Sequence, residues 1–242
     1  MDRLEFGAVV ERHRRELQIH CYRMLGSIED SEDLVQETFL RAWRARETYQ
    51  GRATFRAWLY RIATNACLDA LKGRPRRVLP ADVAPAADPA AGNFDTSEHA
   101  WLEPYPDHLL AGGPDEAVVE RETIELAFLA AMQHLPPRQR AVLILRDVVG
   151  WSADETASVL DVSVAAVKSA LQRARATMRD RMPRRRAEWA GDPTRAERAL
   201  LARWVAALEA ADTGALAQML RADARVSFPP APLWYDGRDA FL

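Results

Sequence analysis

Two short amphipathic helices separated by a three-residue turn are indicated between Ser152 and Arg175. Ser152 and Glu155 have the spacing of a capping box, and Ser163 is suited to begin the second helix. Apolar residues recur at helical spacing on one side of each segment, so the two faces can pack together. This pattern predicts a helix-turn-helix. Its apolar positions are Ala153, Ala157 and Leu160, then Val164, Val167, Leu171 and Ala174.

The opposite face of the second helix is polar and mostly basic. It carries donors suited to guanine edges and phosphates, and Gln172 could read adenine. An ordinary helical hairpin with a solvated basic face is the simpler interpretation. Duplex DNA binding is favoured because the preceding helix is acidic while basic groups cluster here. The polar residues are Lys168, Ser169, Gln172, Arg173 and Arg175.

The net charge of the chain argues against DNA binding. The 242 residues carry a formal charge of −2, which would ordinarily count against a nucleic-acid partner. The distribution is uneven, however, because residues 168–186 contain eight basic groups and one acidic group. Residues 81–114 contain six acidic groups and no Lys or Arg. We therefore expect a basic surface on one module and an acidic connector elsewhere.

The N-terminal 72 residues have the apolar spacing of helices. A first helix is predicted through Phe6, Val10, His13, Leu17 and Cys21, and a second from about Asp30. A third opens after Thr54, a suitable N-cap. One strip of this third helix combines an aromatic, an amide and cationic groups, as a surface for an unpaired strand would. From spacing alone, a core role for its tryptophan is favoured. The strip consists of Trp58, Arg61, Asn65 and Lys72.

The second helix begins in an acidic run, with five acidic groups among residues 29–37. Favourable interaction with the helix dipole explains such a run without any partner. A protein-docking surface is the alternative, since Leu34, Gln36 and Glu37 lie off the predicted core face.

Residues 78–114 are predicted to form a linker, rich in proline and alanine. The segment from Trp101 to Asp107 is too aromatic for a solvated tether, and we expect it to dock. Residues 193–242 predict two helices, a strand at 225–228 and a turn at Asp236-Gly237. So few elements hardly close a core by themselves, and they resemble the beginning of a domain.

Catalytic and metal-binding patterns are missing from the sequence. It contains no HExxH, GxxxxGK[ST], GxGxxG or GxSxG motif, so we expect no enzyme, no cofactor and no metal. Two cysteines without CxxC spacing predict no disulfide framework. A signal-peptide core and an apolar run of membrane-spanning length are likewise missing, which predicts a cytoplasmic chain without membrane insertion.

Three stretches resemble sigma-70-type transcription initiation factors. Residues 25–43 (LGSIEDSEDLVQETFLRAW) are similar to their segment that binds core polymerase, and residues 55–69 (FRAWLYRIATNACLD) to their −10 helix. Residues 135–147 (LPPRQRAVLILRD), with the helix-turn-helix, resemble the −35-binding domain. The resemblance covers residues 1–182. Because the family's middle domain has no counterpart, it indicates the extracytoplasmic-function (ECF) group.

This resemblance implies a division into sigma region 2 at 1–77, a linker at 78–114 and sigma region 4 at 115–186. Residues 193–242 are similar to the opening of a SnoaL-like domain of the NTF2 superfamily, as in sigma factors of the sigma-G and sigma-J types. The expected fold is mainly α: two small helical domains and a partial α+β segment. Implied partners are core RNA polymerase, through its β′ clamp helices and β flap, promoter DNA, and an anti-sigma factor.

The resemblance also assigns roles to single residues, and it reverses the preference for a core role of Trp58. The expected polymerase contacts are Asp33, Leu34, Gln36, Glu37 and Arg41. Those for the −10 strand are Trp58, Arg61, Asn65 and Lys72, and those for the −35 groove are Lys168, Ser169, Gln172, Arg173 and Arg175. Two alternatives stay open: a helix-turn-helix repressor or activator without polymerase, and a SnoaL-like cyclase-type enzyme.

Overall fold

The computed structural model describes residues 3–49, 51, 54–88, 100–106, 109, 126–181, 194–228 and 231–242. The chain divides into two compact units, one from residues 1–77 and 102–186 and the other from residues 78–101 and 187–242. The described elements are mainly helical, and one two-stranded sheet lies near the C-terminal end. The predicted fold class is therefore confirmed.

Four helices form the first part of the larger unit. The loop between the last two includes a single 3₁₀ turn, Arg46–Thr48. The helices are α1 (Arg3–Glu11), α2 (Arg14–Leu25), α3 (Ile28–Ala45) and α4 (Phe55–Ala70).

The single first helix that the sequence predicts is wrong, because the chain turns at Arg12 and His13 between α1 and α2. Aromatic packing accounts for the turn. The Phe6 ring meets the edge of Trp43 at 5.4 Å and that of Phe55 at 6.2 Å between centroids. These contacts hold α1 against the ends of α3 and α4, a direction that a straight continuation of α2 would not give.

The corner between α2 and α3 depends on Gly26. Its φ is +70°, and a Cβ there would lie 2.5 Å from Leu102 Cδ1. Ser27 then caps α3, its Oγ accepting from the Asp30 amide at 3.3 Å. Helix α3 consequently begins at Ile28, two residues before the predicted start near Asp30.

Residues 102–106, which we call the docked strap, pack on this corner. The Tyr22 hydroxyl donates to the Glu103 carbonyl at 2.5 Å, and the Ile28 amide donates to Glu103 Oε2 at 2.8 Å. The Tyr105 ring lies 4.8 Å from that of Tyr22. The predicted docking is thus confirmed for these residues, while Asp107 lies outside the described residues.

The second part of the larger unit is also helical. A π-helical turn, Ile144–Val148, extends its second helix. The helices are α6 (Leu126–Gln133), α7 (Pro137–Leu143), α8 (Ala153–Leu160) and α9 (Val164–Arg181).

Helices α8 and α9 form the predicted helix-turn-helix. The capping box is present, with the Glu155 amide donating to Ser152 Oγ at 3.1 Å and the Ser152 amide donating to Glu155 Oε2 at 2.7 Å. Asp161 ends α8 in the left-handed region at φ 53°. Ser163 caps α9 by accepting from the Ala166 amide at 3.1 Å. The helix caps that the sequence predicts at Ser152 and Ser163 are therefore present as hydrogen bonds to the backbone.

The two helical groups pack against each other within the larger unit. Helix α8 lies on α4, and α7 contacts both α2 and α4. The side chain of Arg140 on α7 is buried and donates to the carbonyl of Met24 on α2. The predicted regions 2 and 4 are consequently in direct contact.

The smaller unit combines short helices with a hairpin. The predicted strand at 225–228 is confirmed except for its last residue, because the observed strand ends at Ser227. The elements are α5 (Pro80–Val83), α10 (Arg195–Glu209), α11 (Thr213–Met219), β1 (Arg225–Ser227), β2 (Trp234–Asp236) and α12 (Arg238–Phe241).

In the hairpin, Val226 pairs with Tyr235 in antiparallel register. The sequence did not predict β2, because three residues are too short for an alternating pattern. The Trp234 indole donates to the Ala84 carbonyl at 2.8 Å, so the predicted linker contacts the hairpin. Linker residues 78–88 thus contain a helical turn and tertiary contacts that composition did not indicate.

We predict that Gly26→Ala lowers the free energy of unfolding by about 2–4 kcal/mol, because it adds backbone strain and a clash with Leu102. Denaturant titration of the purified chain measures this. Gly7→Ala is the matched control: nothing lies within 4 Å of its Cβ position in α1. It should stabilise the chain by about 0.5–1 kcal/mol. Equal changes in the free energy of unfolding for the two variants would contradict the conclusion that the corner between α2 and α3 requires a glycine at position 26.

Candidate nucleic-acid interface

One wall of a surface cleft is formed by the predicted strip of α4. The side chains of Arg61 and Asn65 are exposed, and Trp58 is half-buried. Thr54 fixes the start of the helix by accepting from the Ala57 amide at 3.1 Å. The structure thus brings three predicted strand-binding residues together on one open surface, with aromatic, cationic and amide chemistry.

Lys72 lies outside this cleft. Helix α4 ends at Ala70, and the Lys72 ammonium bonds Asp69 Oδ1 at 2.7 Å. It borders a second depression together with Asn65 and Arg138. The structure therefore separates Lys72 from Trp58 and Arg61, and leaves it at the edge of the strip.

Tyr49 is a cleft residue that the sequence reasoning missed. Its ring lies 5.2 Å from Trp58 at an interplanar angle of 40°, and 5.6 Å from Phe55. Both rings of the Tyr49–Trp58 pair line the cleft. The available signal was an aromatic residue just before the glycine break at Gly51. Trp58 is consequently compatible with both a core role and a strand-binding role, since its ring packs on neighbouring rings and still reaches the surface.

The second candidate surface is the outer face of α9. Val167, Leu171 and Ala174 are buried, which turns the opposite side of the helix to solvent. Arg173 Nη1 donates to Ser169 Oγ at 2.5 Å, so these two predicted groove residues are already linked. The exposed predicted residues are Lys168, Ser169, Gln172 and Arg173.

Arg175 differs from its predicted companions. Its guanidinium makes a bidentate contact with Asp147, with Nη2 to Oδ1 at 2.6 Å and Nε to Oδ2 at 2.8 Å. The hydrogen bonds to this carboxylate raise the pKa of Arg175 above its usual value. In this structure Arg175 connects α9 to the turn after α7, which is a positioning role rather than an open DNA-reading position.

The predicted docking surface lies on α3. Asp33 and Gln36 are exposed, and Leu34 is half-buried. Glu37 accepts from Arg41 Nε at 2.7 Å, and this hydrogen bond raises the pKa of Arg41. All five predicted contacts therefore occupy one helix.

Leu40 is an apolar member of this surface that the sequence reasoning did not single out. It is 52% exposed, and helical spacing places it beside Gln36. Its side chain adds apolar area to a surface that is formed mainly by charged and amide groups. The period of α3 was the signal that could have identified it.

Neither a metal site nor a membrane span is found in the part of the chain that the structure describes. No group of three or more His, Cys, Asp or Glu side chains there could hold a metal ion. Among the helices of the described residues, none combines the length and apolarity needed to cross a bilayer.

Comparison with protein families matches two segments. The model described as Sigma-70 region 2 matches residues 9–77, and that described as Sigma-70, region 4 matches residues 125–178. The first range contains the α3 surface and the α4 strip, and the second contains the helix-turn-helix.

Individual relatives of the chain belong to the same family as these two models. The chain is 47% identical over 240 residues to the ECF RNA polymerase sigma factor SigG of Mycobacterium tuberculosis (strain ATCC 25618 / H37Rv), covering 98% of this chain and 65% of that protein. It is 31% identical over 185 residues to ECF RNA polymerase sigma factor SigW of Bacillus subtilis (strain 168), covering 75% and 90%. The crystal structure of M. tuberculosis extracytoplasmic function sigma factor SigJ has a similar fold, with a TM-score of 0.55 and 23% identity over 97% of this chain and 72% of that one.

The helix-turn-helix of α8 and α9, with its exposed basic face, lies in the segment that matches Sigma-70, region 4. The chain belongs to the sigma-70 family of RNA polymerase sigma factors, in its extracytoplasmic-function group. It spans 65% of the length of the SigG relative. The SnoaL-like character of residues 193–242 stays a prediction.

We predict that Arg175→Ala and Asp147→Ala each lower the free energy of unfolding by up to about 1 kcal/mol, because both remove one exposed bidentate pair. The double variant should lose no more than either single one, which a double-mutant cycle by denaturant titration measures. Arg179→Ala, an exposed arginine on the same helix, is the control and should have no such coupling to Asp147. Additive losses would rule out the positioning role.

Proposed function

We propose that this chain acts as an ECF sigma factor that binds core RNA polymerase and directs transcription initiation at promoters with −35 and −10 elements. The observation that carries the proposal is that one chain has two separate exposed surfaces with chemistry suited to nucleic acid, the strip of α4 and the outer face of α9. Each falls within a segment that matches a sigma-70 region. A repressor of the helix-turn-helix type would need only the surface on α9.

At the −35 element, α9 enters the major groove of the duplex. Lys168 and Arg173 donate to guanine O6 and N7 or to phosphates, and Gln172 pairs with an adenine edge. Their exposure on one helix supports this assignment. Arg175 contributes by fixing the helix through Asp147. The basic triplet Arg184–Arg186, which would add phosphate contacts, lies outside the described residues.

At the −10 element, the cleft beside α4 accepts unpaired bases. Base stacking on aromatic side chains is worth about 1–3 kcal/mol per base, enough to offset the cost of unstacking one base. Trp58 and Tyr49 supply the rings, while Arg61 and Asn65 supply charge and hydrogen bonds. Lys72 takes a peripheral role toward the phosphate backbone.

Core polymerase contacts α3 through its β′ clamp helices, and region 4 through its β flap. The exposed mixture of Asp33, Gln36 and Leu40 supports the first contact, because it offers both polar specificity and an apolar area to bury. The chain has no catalytic role of its own in this proposal. It acts in the cytoplasm, where residues 193–242 regulate it in place of, or beside, an anti-sigma factor.

The polymerase contact is tested with the double variant Gln36→Ala/Glu37→Ala. We expect affinity for core RNA polymerase to fall by about 1–3 kcal/mol, or roughly five- to 150-fold, because the variant truncates the centre of the α3 surface. Fluorescence titration with purified core enzyme measures the change, and Glu29→Ala at the start of α3 is the control. Unchanged affinity would favour a regulator that acts without polymerase.

The −35 assignment is tested with Arg173→Ala. Promoter affinity should fall by about 1–3 kcal/mol with altered base preference at one position, as expected for loss of a base-reading arginine. Binding of the polymerase complex to a set of single-base promoter variants measures both effects. Arg195→Ala on α10 serves as the control. An equal loss on every sequence would instead make Arg173 a phosphate contact.

A further inference from the structure

We infer that Asp69, in the last turn of α4, is a positioning residue that serves both proposed surfaces of this part of the chain. It holds Arg41 for the polymerase contact on α3, and it restrains Lys72 from binding the phosphates of the unpaired strand. This role rests on the proposed function, because it concerns how those two surfaces are set. The contacts of one carboxylate, and its place on the helix, carry the inference.

The two oxygens of the Asp69 carboxylate contact cations from different elements. Oδ1 accepts from the Lys72 ammonium at 2.7 Å, and Oδ2 lies 3.6 Å from Nη1 of Arg41 on α3. Arg41 also donates from Nε to Glu37 Oε1 at 2.7 Å, within its own helix. Acidic and basic groups therefore alternate in one line that begins at Glu37 on the α3 surface and ends at Lys72, just after α4.

The stability of α4 does not account for an acidic residue at this position. The last carbonyls of a helix carry partial negative charge, which disfavours a carboxylate in the last turn and favours a cation. The Asp69 side chain is 52% exposed, and exposed ion pairs contribute little to folding. The hydrogen bond from Lys72, followed by the charges of Lys72 and Arg41, lowers the pKa of Asp69, so its carboxylate is charged at neutral pH. The two cations that it orients are therefore the better explanation for this residue.

On the α3 surface, Asp69 fixes the direction of a long side chain. Glu37 holds the Arg41 guanidinium from the same helix, and Asp69 adds a second contact from α4. The hydrogen bond to Glu37, with a smaller contribution from Asp69, raises the pKa of Arg41. A side chain that is already ordered loses less conformational entropy when a partner binds it. We therefore expect polymerase binding to weaken when the Asp69 charge is removed.

Toward the unpaired strand, Asp69 acts against binding. The Lys72 side chain is 77% exposed, and it borders the same depression as Asn65 and Asp69. A lysine that is paired with a carboxylate gains less from a phosphate, because the carboxylate repels that phosphate. Phosphate contacts carry no sequence information, whereas base contacts do. By restraining Lys72, Asp69 leaves a larger share of the affinity to the base-binding residues of the cleft.

Asp69→Asn tests both roles, because it removes the charge and keeps the size of the side chain. Polymerase affinity is measured by fluorescence titration of the full 242-residue chain with core RNA polymerase. Strand affinity is measured by anisotropy of a fluorescein-labelled single-stranded oligonucleotide of arbitrary sequence. This second titration uses saturating core enzyme and several salt concentrations, and core enzyme alone supplies the background.

We expect the two affinities of Asp69→Asn to change in opposite directions. Affinity for core polymerase should fall by about two- to fivefold and strand affinity should rise by about the same factor, the size expected for an exposed ion pair. The slope of log affinity against log salt should become steeper by about 0.7, as for one more phosphate contact on a single strand. Damage to the fold would lower both affinities, so the opposite signs distinguish positioning from a structural role.

Three further variants assign each change to its cation. Asp69→Glu keeps the charge and should bring both affinities back toward those of the unmodified chain. In an Arg41→Ala background, Asp69→Asn should no longer alter polymerase affinity, and in a Lys72→Ala background it should no longer alter the salt slope. Glu29→Gln, which makes the same change in net charge at an exposed position of α3, is the control and should change neither affinity.

Unchanged affinities in Asp69→Asn, or losses of both together, would overturn the inference. Changes that persist in the Arg41→Ala and Lys72→Ala backgrounds would also overturn it, since the two cations would then not be responsible. A change in one affinity alone would reject a role shared between the two surfaces. In each of these cases the unmodified chain still binds polymerase and DNA. Failure of the unmodified chain to bind either would instead overturn the proposed function itself.

Discussion

The hydrogen bonds of Glu103 at the start of α3 are the constraint on which the larger unit depends. Its side chain accepts from the Ile28 amide, and its own amide donates to the Gly26 carbonyl at 3.0 Å. Arg77 reaches both Glu103 Oε1 at 3.2 Å and Asp30 Oδ2 at 2.8 Å. Two acidic groups thus stand at the positive end of the α3 dipole, and one arginine balances both. This arrangement sets the direction of α3, and with it the direction of the docking surface.

The same corner explains why a linker segment can carry tertiary structure. Residues 102–106 lie 32 or more positions beyond α4 in sequence. They nevertheless supply the acceptor for the Ile28 amide at the start of α3 and the side chain that excludes a Cβ at Gly26. A glycine at φ +70° is tolerated without strain, and the space it leaves is filled by Leu102. Region 2 is therefore completed by chain from outside its own sequence segment.

Local signals were readable from the sequence because they act over three or four residues. The caps at Thr54, Ser152 and Ser163 and the buried positions of α9 follow directly from residue type and helical period. The break between α1 and α2 could not be read, because it depends on Phe6 meeting rings from two distant helices. Tertiary contact overrode a continuous helical pattern at that point.

The candidate site was predictable to the same extent. Residue type and spacing identified the strips on α4 and α9, but spacing could not show that Arg175 bonds Asp147, which lies 28 residues away in sequence. The bond between Lys72 and Asp69 is local, with its partners three positions apart, and residue spacing could have indicated it. Tyr49 enters the cleft through a loop, and loops have no period from which a facing direction could be inferred. Packing of α8 on α4 was equally beyond the sequence, since each module accounts for its own apolar faces.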